Sequence, residues 1–296
     1  MDTWNSLHDA NVFFSVLRSM RRGNLTMRHV GIIGVGRLGG ALLKSLSDGS
    51  ENRVCFIDRD IGLARQRSNE IKFASFESNL EDLAKKSCII FLAVKPKDVQ
   101  STLEELGIYL RSEHLLISVC AGISSKQLRE WSGNRCEVLR VMPNIACLVQ
   151  RGILAVANDS NLSGERLKEV LEILSVMGNC YEIPEKLFDS FTALCASGPA
   201  FVFKFFESVE WAAEKIGFDA RLSKQLSRSL LDSSSALSSN EWGTWKALID
   251  QIATKGGCTE AGLHSLEADA LSTIVERCFI LTRDKSVDLG RVDKQS

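Results

Sequence analysis

The sequence predicts an α/β protein in which a mostly parallel β-sheet, covered by helices, is followed by an all-helical C-terminal part. Short, continuous apolar runs alternate with helix-compatible stretches from Val30 to about Ala157. Such runs are typical of parallel strands that are buried on both faces. Beyond about Phe188 the apolar residues recur only at helical spacing, which indicates a second part made of helices.

Seven apolar runs predict the strands of the sheet in chain order. They cover residues 30–33, 54–57, 71–76, 87–94, 115–119, 137–142 and 152–157. These runs end in small or polar residues, and ligands of parallel sheets bind outside the carboxyl ends of the strands. We therefore expect a ligand crevice at this edge of the sheet.

Helical spacing of apolar residues predicts the remaining elements. A helix over 164–177 is followed by helices over 188–216, interrupted at Gly198–Pro199, and over 220–237, 242–253 and 258–282. The residues after Asp284 are polar and are predicted to fray. The predicted parts are an N-terminal extension (1–27), a sheet domain (28–185), a helical domain (186–284) and a polar tail (285–296).

Composition excludes several classes of function. The net charge of −1 gives no electrostatic basis for binding nucleic acid, and no apolar run approaches the roughly 20 residues of a membrane helix. The nine cysteines form no CxxC pair, and the four histidines show no ligand spacing. We therefore expect a reducing compartment, with neither disulfides nor a metal site.

Residues 1–27 bear on the location of the protein. Arg18, Arg21 and Arg22 suit an amphipathic mitochondrial presequence, whereas the early acids Asp2 and Asp9 oppose one. We expect a short extra helix or a disordered arm, and a cytoplasmic protein. A mitochondrial location is the alternative.

The sequence around the first predicted strand indicates a dinucleotide site. Val30–Ile33 runs into Gly34, Gly36 and Gly39 in a GxGxxG pattern, and an apolar, helix-compatible stretch follows at once. Gly34 permits a tight turn, Gly36 lets the backbone approach a pyrophosphate, and Gly39 lets helix and strand pack closely. The positive end of the helix dipole then meets the phosphate charge. This context predicts a Rossmann-type domain for a nicotinamide or flavin dinucleotide.

The second predicted strand ends in an acidic residue that bears on the choice of cofactor. Asp58 lies about 20 residues beyond the glycines, where a carboxylate accepts hydrogen bonds from the adenosine ribose hydroxyls. Its charge favours NAD(H), because it repels a 2′-phosphate. Arg59 follows immediately and can bind that phosphate instead, so the preference between NAD(H) and NADP(H) stays open.

A series of motifs resembles the pyrroline-5-carboxylate reductases. In order, the motifs are Gly34–Gly40 (GVGRLGG), Leu92–Pro96 (LAVKP), Val119–Ile123 (VCAGI), Arg140–Asn144 (RVMPN), Ala196–Phe201 (ASGPAF) and Thr254–Leu263 (TKGGCTEAGL). The resemblance covers roughly residues 28–284 and is far more specific than any one motif. It implies a Rossmann-type, mostly parallel sheet followed by an all-helical C-terminal dimerisation domain.

The resemblance also implies a set of site residues. The implied cofactor-binding residues are Gly34, Gly36, Arg37, Leu38, Gly39, Asp58, Arg59, Asn79, Ala93, Val94, Lys95, Pro96, Ala121, Gly122 and Asn144. The implied substrate-binding residues are Ser197, Thr254, Gly256, Gly257, Cys258 and Thr259. Thr259 is expected to act in catalysis, through a hydrogen bond between its hydroxyl and the ring nitrogen of the substrate.

The activity implied by the resemblance is reduction of the C=N bond of 1-pyrroline-5-carboxylate, a cyclic imine, to L-proline by NAD(P)H. The family forms homodimers, or larger homo-oligomers, through interlocked helical domains. Lys255 stands where the family usually has Pro, and Ile145 and Ala146 stand where Thr and Pro usually follow the MPN motif. Two alternatives stay open: a related imine or carbonyl reductase with another substrate, and a non-catalytic paralogue that binds the dinucleotide.

Overall fold

The structure, a computed structural model, describes residues 28–47, 52–71, 73–160, 162–238 and 243–292. The expected N-terminal extension, residues 1–27, lies outside the described residues. The described chain forms two compact units, divided between Glu185 and Lys186.

The described residues of the first unit form eight strands in one sheet. They are β1 (His29–Ile33), β2 (Arg53–Ile57), β3 (Ala74–Phe76), β4 (Ile89–Leu92), β5 (Leu115–Ser118), β6 (Glu137–Pro143), β7 (Gly152–Ala157) and β8 (Gly178–Ile183). Their spatial order is β3-β2-β1-β4-β5-β6-β7-β8. All pairs are parallel except β6 with β7, which is antiparallel. The order of the first six strands is that of a dinucleotide-binding sheet, and the prediction of a mostly parallel Rossmann-type sheet is confirmed.

Six helices connect these strands. They are α1 (Arg37–Ser47), α2 (Ile61–Glu70), α3 (Leu80–Lys86), α4 (Val99–Gly107), α5 (Ser125–Trp131) and α6 (Gly164–Leu174). Buried strand residues such as Ile32, Phe56 and Phe91 have no exposed surface, as continuous apolar strands require. The core therefore surrounds the centre of the sheet and fixes the positions of the strand ends.

The eighth strand is missing from the sequence prediction. Gly178–Ile183 (GNCYEI) has a weak apolar pattern and is half-buried or exposed along its length. It forms because Gly178 adopts a φ of +149° and approaches Gly152 so closely that a Cβ there would collide with the Gly152 carbonyl oxygen. Two glycines distant in sequence thus allow this edge strand to pair with β7.

The third strand is shorter than predicted. The apolar run predicts a strand over 71–76, whereas β3 covers Ala74–Phe76. Ile71 instead ends α2, and its backbone N–H donates to the carbonyl oxygen of Arg67.

The second unit is all-helical, as predicted. Its elements are α7 (Phe188–Phe191), a π-helical turn (Thr192–Ala196), α8 (Gly198–Lys215), α9 (Ala220–Ser238), α10 (Trp245–Ile252), α11 (Cys258–Ala268) and α12 (Leu271–Val292). The predicted interruption at Gly198–Pro199 coincides with the start of α8.

Two predictions for the end of the chain are wrong. The single helix predicted over 258–282 is broken before Leu271, where Ala270 adopts a left-handed φ of +54°. Residues 285–292 of the predicted polar tail continue α12 as far as Val292, and the rest of that predicted tail lies outside the described residues. This part of α12 is anchored because the Ser286 hydroxyl donates to Asp189 Oδ1 at 2.7 Å. Local polarity gave no sign of this contact.

A partly buried ion pair connects β6 with the end of the first unit. Arg140 Nη1 lies 2.9 Å from Glu185 Oε1, which also accepts from the backbone N–H of Ser125 at 2.8 Å. Burial opposes ionisation of Glu185, but the hydrogen bonds from Ser125 and Arg140 outweigh burial and hold its pKa below the ordinary value. The depressed pKa means that the ionised carboxylate stabilises the folded state.

We expect Glu185→Gln to lower the free energy of unfolding by about 2 kcal/mol at pH 7, because Arg140 loses its charged partner. The folded pKa is depressed, so this stabilisation is present above the unfolded pKa of Glu185 and is lost as the pH falls through the folded pKa. Urea unfolding at pH 7 and below pH 4.5 measures the difference. Glu182→Gln, at an exposed position on β8, is the matched control. A loss of stability that does not shrink in acid would contradict this account.

Candidate functional site

The glycine turn after β1 is built by close contacts that exclude side chains. Gly34 has a φ of +90°, and its N–H donates to the carbonyl oxygen of Ile57 at 2.8 Å. A Cβ on Gly34 would lie 2.8 Å from the carbonyl oxygen of Ala93, and one on Gly39 would collide with the carbonyl oxygen of Gly34. The turn is therefore held against the ends of β2 and β4 and against the first turn of α1.

Gly36 differs from its two neighbouring glycines because open space surrounds it. A Cβ built there would meet no atom within 4 Å, and the residue is exposed. Helix α1 begins at the next residue, Arg37, and has no acidic residue in its first turn. A free helix N-terminus beside open space suits a negatively charged group. The turn therefore fits the pyrophosphate of a dinucleotide.

Asp58 is fixed to the glycine turn by a contact that the sequence pattern did not predict. Its Oδ2 accepts from the backbone N–H of Val35 at 2.7 Å, and its Oδ1 accepts from the N–H of Asp60 at 2.9 Å. The carboxylate at the end of β2 thus orients the turn after β1. A carboxylate has further lone pairs, so it can still accept from a ribose hydroxyl.

The predicted cofactor residues after β4 and β5 lie at the same edge of the sheet. Lys95 and Pro96 are exposed, and Ala93 and Val94 are half-buried. After β5, Ala121 is exposed and half-buried Gly122 has a φ of +76°.

Cys120 connects these two strand ends, a role that sequence reasoning missed. Its thiol donates to the carbonyl oxygens of Leu92 and Val94, both at 3.3 Å. Burial raises its pKa to about 11, so the thiol keeps the proton that it donates. Cysteine in an apolar run predicts a small buried side chain, but its hydrogen bonds depend on how the neighbouring strand is placed.

Two predicted cofactor residues make structural hydrogen bonds. Asn79 is the N-cap of α3, where its side chain accepts from the N–H of Asp82 at 2.8 Å. Asn144 is buried, and its Oδ1 accepts from the N–H of Ile153 at 3.1 Å, which connects the end of β6 to β7. Both residues therefore stabilise their local backbone, in addition to the cofactor contact that the sequence predicts for them.

The predicted substrate residues of the second unit form a compact turn between α10 and α11. The N–H of Gly257 donates to the carbonyl oxygen of Thr254 at 2.9 Å, and Gly256 has a left-handed φ of +74°. No side chain caps α11, whose first two residues are Cys258 and Thr259. Cys258 is exposed and Thr259 is half-buried. The helix start therefore offers backbone N–H groups and a hydroxyl together, which suits a carboxylate ligand.

Glu260 is a component of this turn that sequence reasoning missed. Its Oε2 accepts from the N–H of Gly256 at 2.7 Å. The Glu260 carboxylate is therefore hydrogen-bonded to one of the backbone N–H groups that were predicted to bind the substrate carboxylate. The spacing of four residues could have indicated this contact, because a Glu in the first helical turn often reaches back to the preceding backbone.

Ser197, the remaining predicted substrate residue, lies at a helix irregularity. Its N–H donates to the carbonyl oxygen of Thr192 at 2.9 Å, which closes the π-helical turn before α8. π-helical turns occur frequently at functional sites. The half-buried Ser197 is thus placed by the interruption that Gly198–Pro199 predicted.

Comparison with known proteins assigns the family of the chain. Residues 185–289 match the family model described as pyrroline-5-carboxylate reductase dimerisation, and residues 29–122 match the model described as NADP oxidoreductase coenzyme F420-dependent. The pyrroline-5-carboxylate reductase of Aquifex aeolicus (strain VF5) is 34% identical over 267 residues, which cover 90% of this chain and 98% of that protein. The chain belongs to the pyrroline-5-carboxylate reductase family.

Other members of the pyrroline-5-carboxylate reductase family agree in sequence and fold. Pyrroline-5-carboxylate reductase 3 of Macaca fascicularis is 31% identical, over 82% of this chain and 89% of that protein. The crystal structure of Plasmodium falciparum pyrroline carboxylate reductase with NADP bound has a TM-score of 0.78 at 30% identity, covering 90% of this chain and 100% of that one. The Coxiella burnetii structure, at 21% identity and a TM-score of 0.82, supports the fold.

Family membership also bears on assembly. The match to a dimerisation domain supports a homo-oligomer. In the described part of the chain, no helix is both long and apolar enough to cross a membrane. The described residues also contain no cluster of three His, Cys, Asp or Glu side chains that could hold a metal ion.

Gly36→Ala tests whether the open space at the turn holds the cofactor. We expect the free energy of unfolding to change by less than about 0.5 kcal/mol, because the new methyl meets no protein atom. The Kd for NAD(P)H should rise about tenfold or more, measured by the fluorescence of the reduced cofactor. Gly164→Ala, which also enters open space but at the start of α6, is the control and should change neither quantity. An unchanged cofactor Kd in Gly36→Ala would exclude the turn as the pyrophosphate site.

Proposed function

We propose that this chain is an NAD(P)H-dependent reductase that converts 1-pyrroline-5-carboxylate to L-proline, the last step of proline biosynthesis. The observation that supports the proposal most directly is the uncapped start of α11 after the Thr254–Gly257 turn. Backbone amides and the Thr259 hydroxyl there match an imine that carries a carboxylate. Family membership and the glycine turn of the first unit agree with this reaction.

In the proposed mechanism the protein supplies binding and orientation. When bound, NAD(P)H supplies the hydride that is added to the imine carbon. Gly36 and the start of α1 bind the pyrophosphate, and Asp58 orients the turn. The amides of Cys258 and Thr259 bind the substrate carboxylate, while the Thr259 hydroxyl hydrogen-bonds the ring nitrogen. A protonated imine is already electrophilic, so correct orientation supplies most of what the reaction needs.

We propose a homodimer, or a larger homo-oligomer, in which the Thr254–Thr259 turn meets the cofactor of an adjoining subunit. Helix α8 carries large apolar side chains that are mostly exposed in the single chain, such as Phe203 (61%) and Trp211 (63%). Apolar surface of this kind marks a protein interface. We also propose a cytoplasmic location, since buried and unclustered cysteines such as Cys55 and Cys120 are typical of a reducing compartment.

A second candidate function is reduction of an imine or ketone that lacks the carboxylate. The Glu260 carboxylate on the Gly256 amide favours this candidate, because a carboxylated substrate must compete with it or bind beside it. The two candidates share the cofactor and the hydride transfer and differ only in the substrate.

The first test is the oxidation of NADH, and separately NADPH, at 340 nm in the presence of 1-pyrroline-5-carboxylate. Rapid turnover with proline as the product supports the proposed reductase. Turnover only with imines or ketones that lack a carboxylate supports the second candidate. Cofactor binding without turnover of either class would overturn both and favour a non-catalytic paralogue.

Thr259→Val removes the proposed hydrogen bond to the ring nitrogen and keeps the side-chain volume. We expect kcat/KM for 1-pyrroline-5-carboxylate to fall about 100-fold, as is typical of an orienting or acid–base group. Thr273→Val, at an exposed position of α12, is the matched control. Full kcat/KM in Thr259→Val would remove this residue from the mechanism.

Glu260→Ala frees the Gly256 amide and removes a negative charge from the substrate turn. We expect the KM for 1-pyrroline-5-carboxylate to fall about tenfold, the size of one charge-assisted hydrogen bond. The KM for 1-pyrroline, which has no carboxylate, should stay unchanged. Glu267→Ala, at an exposed position farther along α11, is the control. An equal change for both substrates would show that Glu260 only holds the turn before α11 and does not compete with the substrate carboxylate.

A further inference from the structure

An ion pair lies beside the residue expected to bind the adenosine ribose. Arg59, directly after Asp58, places its Nη1 2.9 Å from Asp98 Oδ1. Asp98 is the last residue of the 3₁₀ turn Pro96–Asp98, which follows β4. Arg59, the cation that could bind a 2′-phosphate, is therefore already paired with an acid that follows another strand.

The two partners of this ion pair differ in how firmly they are held. The side chain of Arg59 is 68% exposed, whereas that of Asp98 is 22% exposed. The backbone of Asp98 is anchored at the start of α4. Its carbonyl oxygen accepts from the hydroxyl of Thr102 at 2.7 Å, and its N–H donates to the carbonyl oxygen of Lys95 at 2.9 Å. Asp98 is thus the fixed partner, and Arg59 is the side chain that can move.

The charge arrangement disfavours a 2′-phosphate. Such a group carries nearly two negative charges near pH 7. To bind it, Arg59 must share its guanidinium with Asp98 or leave it, and Asp58 and Asp98 both repel the phosphate. A 2′-hydroxyl has no such cost, because the fixed Asp58 carboxylate accepts its hydrogen bond.

We propose that Asp98 is a specificity-determining residue, which holds Arg59 and so makes the site select NADH over NADPH. The proposal rests on the dinucleotide site of the proposed function and assigns the cofactor that the sequence left open. Asp98 acts through Arg59 and makes no contact with the reacting atoms.

Equilibrium binding of NADH and NADPH to the full chain, followed by calorimetry, tests the proposal without turnover. We expect the unmodified chain to bind NADH more tightly. Asp98→Asn and Asp98→Ala should each lower the Kd for NADPH about tenfold, the size of one charge-assisted hydrogen bond, and leave the Kd for NADH within about twofold. Glu104→Gln, an exposed change of the same charge on α4, should alter neither Kd.

The Arg59→Ala background identifies the mechanism. There, Asp98→Asn should lower the Kd for NADPH by less than about threefold, because no guanidinium is released and only the repulsion by Asp98 is relieved. Tighter NADPH binding by the unmodified chain, or an equal gain from Asp98→Asn with and without Arg59, would overturn the proposal. Weaker binding of both cofactors by the Asp98 variants would overturn it as well. A chain that shows the expected binding pattern but does not reduce 1-pyrroline-5-carboxylate would contradict the proposed function alone.

Discussion

The close approach of backbone to backbone at the glycine turn is the constraint on which the first unit depends. Gly34 lies against the end of β4, and Gly39 lies against Gly34, so neither position has room for a side chain. Because the contacts are between backbone atoms, no rearrangement of side chains can relieve them. They fix α1 on the sheet, and of the three glycines in this turn Gly36 alone borders open space. The position of the proposed pyrophosphate site is therefore set by packing before any cofactor binds.

Both units contain a glycine turn that leads into a helix N-terminus. In the first unit a glycine turn leads into α1, and in the second a glycine turn leads into α11. Each offers backbone N–H groups and the positive end of a helix dipole to an anion. Each is also adjusted by an acid of the chain, since Asp58 binds the amide of Val35 and Glu260 binds that of Gly256. The acids orient the turns and also limit which ligand charges the turns accept.

Most of the fold could be predicted from local patterns. Buried strands and amphipathic helices are recognised from apolar residues that are close together in sequence. Three of the wrong predictions have causes that local patterns do not show. Strand β8, the helix break at Ala270 and the extension of α12 to Val292 all depend on contacts between residues far apart in sequence or on a strained backbone. The candidate site also has parts that local patterns predict and parts that depend on contacts between distant residues. The glycine and strand-end motifs were visible in the sequence, whereas the pairing of Arg59 with Asp98 requires the distance between two strand ends.

The central claim is that this chain transfers a hydride from the cofactor to a carboxylated cyclic imine. The most direct measurement is mass spectrometry of the product formed from 1-pyrroline-5-carboxylate and NADH or NADPH that carries deuterium on the transferred face of the nicotinamide C4. The account predicts proline with one deuterium, on the ring carbon that was double-bonded to nitrogen. Consumption of the reduced cofactor that leaves no deuterium in proline would contradict it.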